Sequence, residues 1–386
     1  MLVNVFKENV IEGLSKAANI IPTKTGMAYL RSIWLKAENN TLTIMATDSN
    51  IEFSGSYPAE VVSSGLVGVN GRNFVDLLRK LPSKEPITLS LEEGSNNLLI
   101  SQKGTRNYKL PTNDSVWFQN FSEFPEDNPV VWSGDYFAEL IDKIFYCIAD
   151  DESKDAIGCL YINPVASGHI DACGLNGHQF AMLRFLHDEL HALLPKSGIL
   201  IQRKYLGEMK KWLGADEIEL NITEKRLFLR TCDKKEMFNL PLSAYQYPDY
   251  SNFLSRIEGD NTSKLILARD ETKEALERLL IFISENNRCT YFSLSEKEAH
   301  LSSNGIDVGS ASETIEAEYN GDIQKIAFPT RNLLEIMDHY RSEKLTLILS
   351  GTEGPCGIMG SDDPEYTVII MPMKIVDNTY YQEEKV

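Results

Sequence analysis

The side chains best suited to chemistry in this sequence are a histidine, a cysteine and an aspartate beside predicted turns. His178 follows the turn glycine Gly177, Cys173 closes the strand before that turn, and Asp48 opens an earlier turn. A hydrolase or a metal enzyme requires such groups to converge in space. No serine or cysteine on a nucleophile elbow accompanies His178. The sequence also contains an internal repeat in which Asp48 and Asn176 occupy equivalent positions of different copies, so Asp48 belongs to a different domain from His178. We therefore favour a protein with no catalytic residue, no cofactor and no metal site.

The cysteines support the same interpretation. The six of them include no C-x-x-C pair and no histidine at ligand spacing, and most stand among apolar residues, as Cys159 does in the segment 157–161. This pattern is typical of buried, reduced thiols rather than of disulfides or a metal centre.

The bulk composition is that of a soluble globular protein with a strong negative charge. No apolar run approaches the ~20 residues that span a bilayer. The N-terminus shows neither the basic nor the apolar region of a signal peptide, so we expect a cytoplasmic protein without a membrane partner. The formal net charge of −18 opposes binding to a polyanion unless the basic residues are segregated on one face.

The elements that would position any site follow a threefold internal repeat. Apolar strands close at three prolines that lie 130 and 131 residues apart, namely Pro111, Pro241 and Pro372. A chain of 386 residues exceeds what one hydrophobic core organises, and this period selects three domains. We call them the first, second and third copies and place them at 1–127, 128–255 and 256–386, the last with a C-terminal extension at 376–386.

Each copy repeats the same predicted elements. An amphipathic helix opens it, at 7–21, from Gly134 and after Asp270. Two strands around a tight turn follow, with the turns at Asp48, Asn176 and Asn304. A second helix comes next, beginning at Arg72, Arg203 and Arg331, and a strand pair ends the copy. Two helices can cover one face of an antiparallel sheet, so the predicted fold class is α+β. Open sheet edges would remain unless neighbouring copies pair edge to edge, and a closed ring removes every edge.

Three short motifs in this order resemble the β sliding clamp family of bacterial DNA polymerase III. They are Asn-Gly-His at 176–178, Tyr-Pro-Asp-Tyr at 247–250 and Ile-Met-Pro-Met-Lys-Ile at 370–375. The resemblance covers essentially the whole chain. It implies three clamp domains per chain, each with two helices packed on antiparallel sheet, and a head-to-tail homodimeric ring with the DNA clamp fold.

The resemblance also implies a function. The ring would encircle duplex DNA without reading its sequence, confer processivity on the DNA polymerase III catalytic subunit, and recruit other polymerases and repair factors through short peptides. A clamp-loader ATPase complex would open and close it, and no catalysis is implied. An auxiliary clamp paralogue with the same ring and different partners remains an alternative.

A net charge of −18 is compatible with DNA binding if the basic residues of the second helices face the DNA. The predicted DNA-contacting residues are Lys24, Arg72, Arg79, Lys80, Arg203, Lys204, Lys210 and Lys211. The first helices add Lys16, Lys143, Lys273 and Arg278. Such a surface gives salt-sensitive, sequence-independent phosphate contacts. Simple solvation of a helix face is the competing interpretation of each cation, and Lys24 could equally be a solvated loop lysine.

The resemblance implies a partner-peptide groove between the second and third copies. Its predicted walls are Leu175, Gly177, His178, Gln179, Phe180, Pro248, Asn252, Phe253, Ile369, Met371, Pro372 and Met373. Methionine, phenylalanine and proline make an adaptable apolar surface that accepts Leu and Phe side chains. Because alternate strand residues face opposite sides, we expect one of Met371 and Met373 to pack in the core instead.

The chain departs from the family in the groove, at the tail and in one apolar run. Gln179 and Asn252 stand where many members carry basic residues, so we expect a less cationic groove. The tail 376–386 extends past the usual end and could compete with partners. The run 279–283 is more apolar than one helix face needs, which predicts a dimer interface at Leu280, Ile281 and Phe282, with overpacked core as the alternative.

Overall fold

The computed structural model describes residues 1–23, 27–91, 94–150, 155–285, 287–305 and 307–375. The first copy contains β1 (Leu2–Val5), α1 (Lys7–Ile20), β2 (Ser32–Glu38), β3 (Thr41–Thr47), β4 (Glu52–Pro58), β5 (Glu60–Ser63), β6 (Gly65–Asn70), α2 (Gly71–Lys80), β7 (Ile87–Ser90), β8 (Asn97–Gln102) and β9 (Arg106–Asn113).

The second copy contains β10 (Val130–Ser133), α3 (Gly134–Phe145), β11 (Cys159–Pro164), β12 (His169–Leu175), β13 (Gln179–Leu186), α4 (Asp188–Leu193), β14 (Ile199–Gln202), α5 (Arg203–Trp212), β15 (Glu217–Ile222), β16 (Arg226–Thr231), β17 (Glu236–Pro241) and α6 (Ser251–Ile257).

The third copy contains β18 (Ser263–Ala268), α7 (Arg269–Leu279), β19 (Cys289–Leu294), β20 (Glu298–Gly305), β21 (Gly309–Asn320), β22 (Lys325–Pro329), α8 (Thr330–Asp338), β23 (Lys344–Leu349), β24 (Cys356–Gly360) and β25 (Asp363–Ile370). Short 3₁₀ turns cover Ala28–Arg31, Ser115–Trp117, Ala166–Gly168 and Leu280–Phe282. Among the described residues, no helix has the length and apolar character needed to span a bilayer.

The predicted helices are confirmed, and the strands show two corrections. A strand precedes the first helix of every copy, at β1, β10 and β18, where we expected the helix to come first. These strands have only four to six residues, too few for their alternation to stand out beside a helix. The third turn was also misplaced, because Asn304 and Gly305 pair with Ser310 and Gly309 and so belong to β20 and its hairpin partner.

The chain forms two compact units. The first consists of Met1–Ile141, Ala192–Pro195 and Ile201–Ala244, and the second of Asp142–His191, Lys196–Leu200 and Tyr245–Val386. The three-domain boundaries remain a prediction.

The first unit contains a thirteen-stranded sheet with the order β10-β15-β16-β17-β4-β3-β2-β6-β9-β8-β7-β1-β5. The second copy's β17 pairs antiparallel with the first copy's β4, from Glu236 opposite Gly55 to Asn239 opposite Glu52. Helix α1 packs against β2, β3 and β4 and against α2 and α5. Its face toward the sheet is apolar, with Val10, Leu14 and Ala17 fully buried.

The second unit contains a twelve-stranded sheet with the order β14-β11-β12-β13-β25-β24-β23-β18-β21-β20-β19-β22. The second copy's β13 pairs antiparallel with the third copy's β25, from Gln179 opposite Ile370 to Leu183 opposite Tyr366. Neighbouring copies are therefore joined edge to edge inside each unit, as the repeat predicted.

The cysteines behave largely as expected. Cys147, Cys159, Cys173, Cys289 and Cys356 are buried free thiols, whereas Cys232 is exposed. Burial raises the pKa of the Cys173 thiol well above its ordinary value, so this group stays protonated near neutral pH.

Candidate functional site

A tight hairpin turn between β12 and β13 opens the candidate groove. The side-chain Oδ1 of Asn176 accepts hydrogen bonds from the backbone N–H groups of His178 (3.0 Å) and Gln179 (2.9 Å). Gly177 has a φ of +94°, a left-handed conformation that glycine adopts without strain. These contacts fix the turn, so His178 projects into solvent while Gln179 begins the strand.

The pairing of β13 with β25 places the two sequence-distant walls side by side. Phe180 stands directly opposite Ile369, and the backbone N–H of Met371 donates to the carbonyl of His178 (3.0 Å). Two residues later, the N–H of Met373 donates to the carbonyl of Ala327 on β22 (2.8 Å). The segment 371–373 thus leaves β13 and continues beside β22.

Aromatic rings from α6 and the turn before it complete the wall. The Phe180 ring stacks on Tyr250 with 5.5 Å between ring centroids and lies 6.1 Å from Phe253. Beneath them Tyr161 stacks on Tyr247 at 4.5 Å. Phe180, Tyr247 and Ile369 are buried members of one hydrophobic cluster that also includes half-buried side chains, namely Leu175, Tyr250, Phe253 and Leu254.

The structure brings four of the predicted groove residues into this cluster: Leu175, Phe180, Phe253 and Ile369. Gly177, His178, Pro248 and Asn252 are exposed around it, and Pro372 is half-buried. Met371 and Met373 are both exposed, at 38% and 40%, so the expectation that one of them packs in the core was wrong. Strand β25 ends at Ile370, and the alternation of a strand does not extend past its end.

Gln179 stands where many family members carry a basic residue, but it is uncharged and its side chain is buried. Its side chain is only 3% exposed, and its Oε1 accepts a hydrogen bond from Asn176 Nδ2 (3.0 Å). Its Nε2 has no hydrogen-bond partner among the described residues. The residue therefore supports the turn.

A buried polar network beneath the groove was not predicted from the sequence. Asp171 is fully buried and accepts hydrogen bonds from Arg184 Nε (2.7 Å), Arg184 Nη2 (2.9 Å) and the Tyr250 hydroxyl (2.8 Å). Burial raises the pKa of Tyr250, so the phenol stays protonated and donates to the carboxylate. Asn163 Nδ2 donates to the same hydroxyl (3.1 Å). The network holds the ring that stacks on Phe180.

The junction between the first and second copies has a polar pair at the end of the β4–β17 pairing. Glu52 and Asn239 stand opposite each other there. Asn239 Nδ2 donates to Glu52 Oε2 at 3.0 Å, and the backbone N–H of Ser122 donates to the same oxygen at 2.9 Å. A hydrogen-bonded polar pair therefore joins the first two copies at this junction.

The predicted DNA-contacting helices lie on the first unit's sheet. Helix α5 packs on β17, α1 on β2 to β4, and α2 on β6, in the same order as the strands. Arg72, Arg79, Lys80, Lys204, Lys210 and Lys211 are exposed on α2 and α5, and Arg203 is half-buried. Some of these cations have partners: Lys211 pairs with Glu208 (2.8 Å), and Arg79 Nη2 donates to Ser15 Oγ (3.0 Å). Lys24 lies outside the described residues.

The four cations predicted on the first helices all have acidic neighbours. Lys16 bonds Glu236 (2.8 Å), Lys273 bonds Asp338 (2.5 Å), and Arg278 is bidentate to Glu313 (2.9 and 2.8 Å). Lys143 is buried beside Asp363. The acidic partners come from distant segments, so helix periodicity alone could not reveal them.

The predicted dimer-interface residues form a 3₁₀ turn after α7. Ile281 is 71% exposed, and Leu280 and Phe282 are half-buried. An isoleucine that is mostly in solvent contradicts the alternative of overpacked core for this residue.

Comparisons with known proteins agree with this architecture. Residues 1–122 match the family model of the DNA polymerase III beta subunit, N-terminal domain, and residues 257–374 match its C-terminal domain. The beta sliding clamp of Caulobacter vibrioides is 21% identical over 384 residues, covering 97% of this chain and 100% of that protein. The beta sliding clamp of Pseudomonas aeruginosa is 23% identical over 374 residues, covering 96% and 98%.

Solved structures show the same fold. A sliding clamp from Bartonella birtlesii bound to griselimycin aligns with a TM-score of 0.88 at 22% identity, and the Caulobacter crescentus clamp with 0.89 at 20%. Both alignments cover 97% of this chain and 100% of the other. Together with the family-model matches and the curated relatives, the fold places the chain in the class of DNA sliding clamps. Within that class, the chain belongs to the bacterial DNA polymerase III beta subunit family.

Proposed function

We propose that this protein is the sliding clamp of a DNA polymerase III. It encircles duplex DNA as a ring and keeps the replicative polymerase on its template. The observation that carries the proposal is the match to this family along nearly the whole chain, including both terminal domain models. The family is one of processivity factors, and we propose that this chain is likewise non-catalytic and acts in the cytoplasm.

Basic side chains on α2 and α5 are proposed to contact the DNA backbone. The exposed cations of these two helices flank α1 on one layer of the first unit. Phosphate contacts of this type are weak and salt-sensitive, which suits sliding. A closed ring is retained by topology, so a net charge of −18 is compatible with DNA binding.

The groove is proposed to bind short peptides of polymerases, repair factors and the clamp-loader ATPase. Its apolar floor is Phe180 and Ile369, and Met371 and Met373 project at its edge. Flexible methionine side chains next to a fixed aromatic floor accept differently shaped apolar anchors.

Two strand edges support a head-to-tail homodimer. Residues 106–111 of β9 pair with β8 alone, and residues 309–315 of β21 pair with β20 alone, among the described residues. Arg106 and Lys109 lie on the first edge, and Glu313, whose carboxylate also binds Arg278, lies on the second. Unpaired strand edges favour pairing between two copies, with Ile281 beside the joint.

Primer extension tests the proposed function. On a singly primed circular template, adding this protein to its polymerase III catalytic subunit and clamp loader should lengthen the products of a single binding event. Product lengths unchanged by the protein, with an active loader, would contradict a processivity role. A paralogue serving other polymerases would stimulate those instead.

A further inference from the structure

A polar cleft of about 890 Å³ lies on the third copy's sheet, outside the groove. Its floor consists of side chains in cross-strand register. Tyr291 stands opposite Ser302, Ser302 opposite Ser312, and Asn304 opposite Ser310. Hydroxyl and amide groups therefore line the cleft, and they can donate hydrogen bonds to an anion. We call this feature the serine cleft.

The serine cleft is cationic in a strongly acidic protein. Arg288, Lys325 and Lys374 line it, and its lining contains no aspartate or glutamate among the residues that the structure describes. All three cations are exposed, and none forms an ion pair with a described carboxylate. Lys325 Nζ lies 4.9 Å from the ring centroid of Tyr291, which places the charge over the cleft floor. A chain with a net charge of −18 thus carries an uncompensated positive patch at this position.

The cleft and the groove share one wall. Met373, a predicted groove residue, also lines the serine cleft together with Lys374 and Ile375. The hydrogen bond from Met373 N–H to the Ala327 carbonyl holds this segment against β22, two residues from Lys325. A peptide chain leaving the groove past Met373 therefore enters the serine cleft.

Charge limits how far an anionic chain could extend along the same strands. Beyond the Ser302–Ser312 rung come His300 opposite Thr314 and then Glu298 opposite Glu316. Two facing carboxylates repel a further anion. The favourable region is confined to the end nearest residues 373–375.

We propose that the serine cleft binds the acidic flank of a peptide whose apolar side chains occupy the groove. The inference rests on the proposed function of the groove and names the chemistry of its partners: Leu and Phe anchors followed or preceded by Asp or Glu. Lys325 and Lys374 supply the charge, and the serine hydroxyls supply hydrogen bonds to the carboxylates.

Matched peptides test the proposal. Fluorescent peptides with one Leu–Phe anchor carry a flank of three Glu, three Gln or three Lys, placed before the anchor in one set and after it in another. Affinities for the full-length protein are measured by anisotropy at low and high salt. The double variant Lys325→Glu/Lys374→Glu is compared with Lys297→Glu, an exposed charge reversal on the same copy that does not line the cleft.

The expected result is a preference for the Glu flank over the Gln flank of about three- to tenfold in one of the two sets, shrinking at high salt. The double variant should lose this preference and bind the Gln peptide within about twofold of the unaltered protein, whereas Lys297→Glu keeps the preference. Equal affinity for Glu and Gln flanks at low salt would overturn the inference and leave the groove intact. If no peptide binds at all, the groove function itself fails, and the cleft proposal fails with it.

Discussion

The buried carboxylate of Asp363 gives the most quantitative prediction for the second unit. Its Oδ2 accepts hydrogen bonds from the backbone N–H groups of Arg341 and Ser342 (2.9 Å each) and from the Ser342 hydroxyl (2.7 Å). Lys143 Nζ lies 3.5 Å from Oδ1. Strand β25 and helix α3 are thereby joined at the end of the strand opposite the groove.

Asp363→Asn keeps the shape but removes the charge. Three hydrogen bonds to a carboxylate become bonds to a neutral amide, and an NH₂ group faces Lys143. We expect a loss of about 2–4 kcal/mol in the free energy of unfolding. For a unit of this size, that corresponds to a melting temperature lower by about 5–15 °C. Differential scanning calorimetry of the full chain at pH 7 measures the change.

The pH dependence of this effect has a definite sign. Burial by itself raises the pKa of Asp363, but the bonds from Ser342 and Arg341 and the charge of Lys143 outweigh it and hold the pKa below its ordinary value. The carboxylate of Asp363 therefore stabilises the fold fully at any pH above about 3.9, the pKa of an aspartate in the unfolded chain. This stabilisation is lost as the pH falls through the lower pKa that Asp363 has in the folded protein. The difference between Asp363→Asn and the unaltered protein should narrow in acid.

The neighbouring residue provides a matched control. Asp362 is exposed, and Asp362→Asn makes the same chemical change on a side chain outside the network. Only the backbone N–H of Asp362 joins the network, by donating to Ser342 Oγ (2.9 Å), and the substitution leaves that N–H in place. Its melting temperature should stay within about 1 °C of the unaltered protein. Equal melting temperatures for the two variants at pH 7, or a difference that widens in acid, would refute the reasoning.

Three further predictions concern the proposed sites. Phe253→Ala removes a side chain of the groove wall and should weaken peptide binding at least about tenfold, as measured by anisotropy. Ser251→Ala on the same helix should leave the affinity unchanged. Equal affinities for the two variants would show that Phe253 does not contact the peptide. Lys80→Glu should lower the affinity for DNA and reduce the magnitude of the slope of log affinity against log salt concentration by about one to two. An unchanged slope would show that Lys80 does not contact the DNA backbone. Ile281→Asp should shift the sedimentation equilibrium from dimer toward monomer, and an intact dimer at nanomolar concentration would move the interface elsewhere.

Much of the fold was predictable because the same order of helices, strands and turns recurs three times in the sequence. Helix periodicity recovered α1 within one residue of its end, and the prolines and turn residues located equivalent strands in each copy. The four groove residues that cluster were likewise found from motifs. The short strands before each first helix were missed because four residues carry little periodic signal.

The features that were not predicted depend on which polar and charged side chains contact each other in the folded chain. Lys16 and Glu236 are far apart in sequence and come together only through the pairing of β4 with β17. The contact of Asp171 with Arg184 could have been found, because counting outward from the turn at Asn176 places them opposite each other in the hairpin. The burial of Gln179 could not, since it follows from tertiary packing around the turn.

Release from DNA tests the central claim most directly. The protein is loaded onto a nicked circular plasmid by its clamp loader, freed of loader by gel filtration, and then challenged with a restriction enzyme that cuts the circle once. A ring that holds DNA by topology stays with the circle at moderate salt and is lost within minutes after linearisation. Equal retention on circular and linear DNA would contradict encirclement and indicate ordinary surface binding.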